Sequence, residues 1–106
     1  MREIKLWVDD MRRPPSKDWI WCRTTNSVID LLEEVNFYGD NISVLLDLDH
    51  DAGDYEKYGG DYIKILDWIE ETDLSNLNLS FHLHSMNPVG MMNMRDIIEK
   101  NGWALS

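Results

Sequence analysis

One cysteine and three prolines in 106 residues leave this chain without a staple and with few breakers. Cys22 has no partner for an internal disulfide, which fits a reducing compartment such as the cytosol. No apolar run approaches the roughly 18 residues of a membrane span, and the N-terminus has no leader pattern. A cytoplasmic domain with no membrane partner is therefore expected. Basic residues are also scarce: ten Lys and Arg against twenty Asp and Glu give a formal net charge of −10. Such a chain repels polyanions, which excludes bulk nucleic-acid binding. A local phosphate site is still allowed, especially with a cation among the carboxylates. Repeats, low-complexity segments and linkers are missing too, so residues 1–106 read as a single domain. With 43% hydrophobic residues and five tryptophans, the chain can build a small core.

What is present is a series of short apolar segments separated by helical patterns. Ile4–Val8, Trp19–Arg23, Ile42–Leu48 and Leu77–His84 read as strands, with Trp103–Leu105 as a final short one. Val28, Leu31, Leu32 and Val35 have helical spacing over Thr25–Val35, with Thr25 or Asn26 as the cap. Asp61–Glu71 is a second helix. Asn87 as cap, Pro88 in the first turn and Gly102 past the end mark a third. Pro14 and Pro15 keep 9–18 a loop, and 51–60 is a polar, aromatic loop ending in Gly59 and Gly60. Those glycines either hinge a lid or start the helix. Strands alternating with helices imply an α/β domain with a mostly parallel sheet of four to five strands.

Buried parallel strands are usually apolar on both faces. Here Leu77, Leu79, Phe81 and Leu83 alternate with Asn78, Ser80, His82 and His84. The expectation is a two-layer domain with all three helices on one face. The other face would be open, covered by a folded-over loop or by a homodimer.

The segment Val44–Asp51, VLLDLDHD, carries the most chemistry. Side chains two apart in a strand share a face, so Asp47 pairs with Asp49 and His82 with His84. Open α/β sheets bind ligands at the carboxyl edge of their strands. At that edge Asp9, Asp10 and Asp49 form a candidate metal set for Mg²⁺ or another divalent cation. The bland alternative is that acids follow strands as turn formers. His50 and His84 are candidates for general acid and base beside Asp49, with Asp47 and Asp51 as further pocket residues. Ser85 and Asn87, before the last helix, either bind an anion or simply cap. Arg12 and Arg13 are suited to phosphate oxygens. The tryptophans read as core or as cover for the open face, and Cys22 as a small buried hydrophobe.

WVDDMRRPP, LDHDAG, GGDYIKILDWIEE and HSMNPVGMMNM together resemble the cyclic-phosphate processing receiver-like domains, in order from Leu6 to Met94. The wider resemblance is to the flavodoxin-like receivers of response regulators. These pair two acids after the first strand with a phosphoacceptor Asp and a Ser or Thr, the roles that Asp9, Asp10, Asp49 and Ser85 would fill. The resemblance implies a site formed by Asp10, Arg12, Asp49, His50, Asp51, His84, Ser85 and Asn87. The chain departs from ordinary receivers in its MRRPP loop in place of the helix after the first strand. It also lacks the Lys after the fifth strand and the C-terminal helix, so phosphorelay at Asp49 is disfavoured. Two readings stay open. One is a phosphoesterase acting on a cyclic phosphate, on a nucleotide or RNA end. The other is a non-catalytic module that binds a phosphorylated ligand or a partner protein.

Overall fold

The computed structural model describes residues 3–106; of the domain expected over 1–106, Met1 and Arg2 lie outside the described residues. The elements run β1 (Glu3–Val8), β2 (Trp19–Cys22), α1 (Thr25–Tyr38), β3 (Ile42–Leu48), a 3-10 turn (Gly53–Tyr55), α2 (Ile63–Glu71), β4 (Leu77–Leu83), α3 (Pro88–Lys100) and β5 (Ala104–Leu105). Among the described residues the strands form one sheet in the order β2-β1-β3-β4-β5. Every neighbouring pair is parallel. No helix among these residues is long and apolar enough to cross a membrane.

The helix ends follow from side chains competing for orphan N–H groups. Thr24, one residue before the expected caps, accepts the Ser27 N–H at 3.0 Å. Thr25 is instead the first residue inside the helix, and its hydroxyl donates to Gly60 O at 3.0 Å. α1 runs one turn beyond Val35, since Phe37 and Tyr38 are exposed and leave no apolar periodicity to read. α2 starts at Ile63 rather than Asp61, whose carboxylate instead accepts the Ala52 N–H at 2.9 Å. α3 is capped as expected, with Asn87 Oδ1 accepting the Gly90 N–H at 2.9 Å.

Register explains the layering. Leu6, Leu46 and Phe81 stand abreast on β1, β3 and β4, and all three are fully buried. They join one core with Val28 and Leu32 of α1, Ile65, Leu66 and Ile69 of α2, and Met94 and Ile98 of α3. All three helices therefore cover the same face. One residue further along the strands, Trp7, Asp47 and His82 stand abreast on the opposite face.

That opposite face is partly covered by the 9–18 loop, which is not helical. The Trp7 indole donates to Arg12 O and the Trp21 indole to Asp9 O, both at 2.8 Å. The 51–60 loop is likewise tied down. Asn26 N–H donates to Tyr58 O at 3.1 Å, Arg23 Nη1 to the Tyr55 hydroxyl at 3.3 Å, and the Tyr62 hydroxyl to Arg23 O at 2.6 Å. The buried Cys22 thiol has its pKa pushed up to about 11 by loss of hydration, which makes it a poor nucleophile.

The layering has a direct consequence. Leu46→Ala should lower the unfolding free energy by about 3 kcal/mol, the scale of a buried Leu truncation. Leu45→Ala, on the less covered face, should cost under about 1 kcal/mol. Urea denaturation of both variants checks the difference.

Candidate functional site

The hydrogen-bond ladder continues one residue past three strands. Asp9 N–H donates to Cys22 O at 3.2 Å, Asp49 N–H to Val8 O at 2.9 Å, and His84 N–H to Leu48 O at 3.0 Å. The sheet thus sets Asp9, Asp49 and His84 at the carboxyl edge of β1, β3 and β4. Asp9 is fully buried, while Asp47 and Asp49 are nearly so.

His84 is the most constrained of these side chains. Its Nδ1 lies 2.6 Å from Asp47 Oδ1 and its Nε2 lies 2.9 Å from Asp9 Oδ2. Both nitrogens can donate only if the ring is an imidazolium. The ring stacks on the Trp7 indole with centroids 4.0 Å apart and planes 6° from parallel, an arrangement that favours a cation over a π face. Burial alone would lower the His84 pKa, but the bonds to Asp47 and then Asp9 outweigh it and raise the pKa. For Asp47, burial is outweighed by the bonds from His84 and His82, and its pKa falls. For Asp9, burial is outweighed by the Arg12, Met11 and His84 donors, and its pKa also falls. Its Oδ1 accepts both N–H groups at 2.9 Å. His82 adds one bond to Asp47 at 3.0 Å, with its side chain 46% exposed.

The second group lies next to this network. Asp9, Asp10 and Asp49 place one oxygen each within 4.8 Å of one another. Burial, followed by the charges of Asp9 and Asp49, raises the Asp10 pKa. Burial and the same three carboxylates also raise that of the Tyr62 phenol. Crowded, mutually repelling oxygen donors fit a hard divalent cation. Asp9 already has both oxygens engaged, so Asp10 and Asp49 are the carboxylates best able to hold such an ion. Gly53, with φ 55°, makes room here, since a Cβ would collide with the Asp10 carboxylate. His50, Asp51 and Asp61 form another set within the same span, but Asp61 is committed to Ala52 N–H and Asp51 to His50.

His50 is held differently from His84. Its Nδ1 lies 2.8 Å from Asp51 Oδ1, and the Asn87 amide donates to both Asp51 oxygens at 3.4 Å. No hydrogen bond reaches His50 Nε2 among the described residues. The ring fits against the start of α3 because residue 90 is glycine; a Cβ there would collide with it. Ser85 Oγ accepts the Asn87 N–H at 3.0 Å, which fixes the turn into α3 and leaves its hydroxyl hydrogen to donate. Arg12 Nη1 donates to His84 O at 3.2 Å and is otherwise exposed.

The structure therefore gathers Asp9, Asp10, Arg12, Asp49, His50, Asp51, His84, Ser85 and Asn87 at one sheet edge, with Asp47 beneath His84. Arg13, by contrast, is exposed and makes no hydrogen bond or ion pair there among the described residues. Trp7, Gly53, Gly90 and Asp61 are additions. Trp7 shares strand parity with Asp9, the one sequence signal that could have found it. The glycines matter through close approaches that a sequence does not display. A cleft of about 410 Å³ lies at the other end of the sheet, among Ile4, Ile20, Leu31, Val35 and Ile42. Its charged side chain is Glu34, so it is not equipped for phosphate chemistry.

Two outcomes follow. His84, with its pKa raised from 6.5, contributes stability fully below that pH and loses it as pH rises through the higher folded value. Asp9 and Asp47, lowered from 3.8, contribute above that pH and lose it as pH falls through their lower folded values. His84→Gln should cost about 3 kcal/mol between those limits, the scale of breaking a buried pair. That difference should shrink at higher pH, as denaturation at several pH values will show. Asp10→Asn should raise the melting temperature in metal-free buffer, because it removes repulsion, and should reduce the gain from millimolar Mg²⁺. Calorimetric scans with and without Mg²⁺ check this.

No curated protein and no solved structure matches the chain. The family described as Cyclic-phosphate processing Receiver domain matches residues 4–100. That span takes in β1 from its second residue, β2 to β4, all three helices and each site residue named above. By this match the chain belongs to the cyclic-phosphate processing receiver domains.

Proposed function

We propose that the domain opens a cyclic phosphate ester by hydrolysis at this edge. The observation that supports the reading is the placement of His50. A carboxylate orients its Nδ1, and no hydrogen bond among the described residues reaches its Nε2. Its ring packs against Gly90 in the first turn of α3, and its backbone N–H donates to Asp49. An imidazole oriented in this way is the general-base arrangement of hydrolytic sites.

Water adds to phosphorus and one ring P–O bond breaks. His50 Nε2 takes the proton from the water, and that proton returns to the departing oxygen. The product is a phosphate monoester, and no co-reactant beyond water is consumed. Arg12, the Ser85 hydroxyl and the Val89 N–H in the first turn of α3 face phosphate oxygens. Asn87 holds Asp51 and the helix start. A divalent cation on Asp10 and Asp49 would neutralise charge on the phosphate. His84 supplies a fixed positive charge behind Asp9 rather than a moving proton.

The engagement of both His84 nitrogens also favours a second reading, a module that binds a phosphate ester without turnover. It leaves one histidine for proton transfer where two would divide the work. Phosphorus NMR on a set of cyclic phosphates, including 2′,3′-cyclic nucleotides, separates the readings. The wild type should release a monoester. His50→Ala should be slower by about 10²-fold or more, and Arg12→Ala should bind more weakly. Binding of a cyclic phosphate without turnover would replace the enzyme by the binding module.

A further inference from the structure

Resting on that phosphate site, we propose a neighbouring apolar subsite formed by Met11, Met86 and Val89. It takes the flat face of the base in a single nucleoside cyclic phosphate.

Three large apolar side chains are left in water here: Met11 is 80% exposed, Met86 82% and Val89 65%. Exposed apolar residues scattered singly need no explanation. Each of these lies within two residues of a site residue. Met11 follows Asp10 on the loop after β1, and Met86 follows Ser85 on the turn after β4. In the sheet order, β3 lies between β1 and β4, so these loops flank the end that carries Asp49 and His50. The Arg12 bond to His84 O, two residues before Met86, draws the loops together across that end. Val89 lies three residues beyond Met86 on the outward side of α3, whereas Gly90 and Met94 point inward. The apolar groups therefore border the phosphate site instead of continuing the core.

Their chemistry narrows the ligand. Thioethers pack well on aromatic rings and adapt to different shapes. None of the three side chains is a strong donor or acceptor, so the subsite would grip a base without reading its edge. Purines and pyrimidines should both be accepted. The net charge of −10 opposes a long polyanion, which favours one nucleotide over a strand.

The test is calorimetric binding on a His50→Gln background, which prevents turnover. The probes are 2′,3′-cyclic AMP, 2′,3′-cyclic CMP and glycerol 1,2-cyclic phosphate, which has no base. Both nucleotides should bind about tenfold more tightly than the glycerol compound, the scale of two sulfur–ring contacts. Met11→Ser with Met86→Ser should abolish that preference and leave the glycerol compound unaffected. Equal affinity for all three probes would overturn the subsite while leaving the phosphate site intact. So would a double variant that weakens all three alike. A preference untouched by the double variant would also overturn it. Failure of every probe to bind would remove the phosphate site and the subsite with it.

Discussion

An imidazole with a carboxylate on each nitrogen satisfies both only by carrying two protons. His84 is in that position, between Asp47 on the open sheet face and Asp9 at the sheet edge. Much of the site geometry depends on this contact. It brings a positive charge among acids that would otherwise repel one another. It also engages Asp9, whose remaining oxygen accepts the backbone of Met11 and Arg12 and so starts the loop that crosses Trp7. The indole of Trp7 closes the arrangement from the side, stacked on the ring.

The consequence is a division of labour among similar residues. Asp9 and Asp47 stabilise a cation, while Asp10 and Asp49 remain as crowded oxygen donors. His84 is fixed, and His50 is oriented by Asp51 with one nitrogen free. Composition alone treats these as five aspartates and two histidines. Their environments separate them, as burial and partner charges commonly do in sites with several ionisable groups.

The architecture was largely legible in the sequence because its signals are local. The alternation from Leu77 to Leu83 was enough to place the helices on one face, and Asn87, Pro88 and Gly102 marked α3 correctly. Element ends drifted where two residues could do the same job, as with Thr24 and Thr25. The site was legible as a set of residues but not as a set of contacts. Parity put His82 with His84 and Asp47 with Asp49. Only the strand order and register bring Asp47 abreast of His82 and within reach of His84. Those depend on how the helices cross between strands, which no short motif records. The pairing of His50 with Asp51 was equally hidden, since adjacent side chains diverge in an extended chain. They meet because the backbone bends at His50 after β3. The closeness of Gly90 to that ring is a packing fact with no sequence periodicity behind it.

The central claim is that His84 is an imidazolium held by two carboxylates, and nitrogen NMR of histidine-labelled protein tests it most directly. The account predicts both His84 ring nitrogens protonated at pH 6.5, with a titration midpoint above that value. A neutral His84 ring with one bare nitrogen at that pH, or a midpoint at or below 6.5, would contradict it.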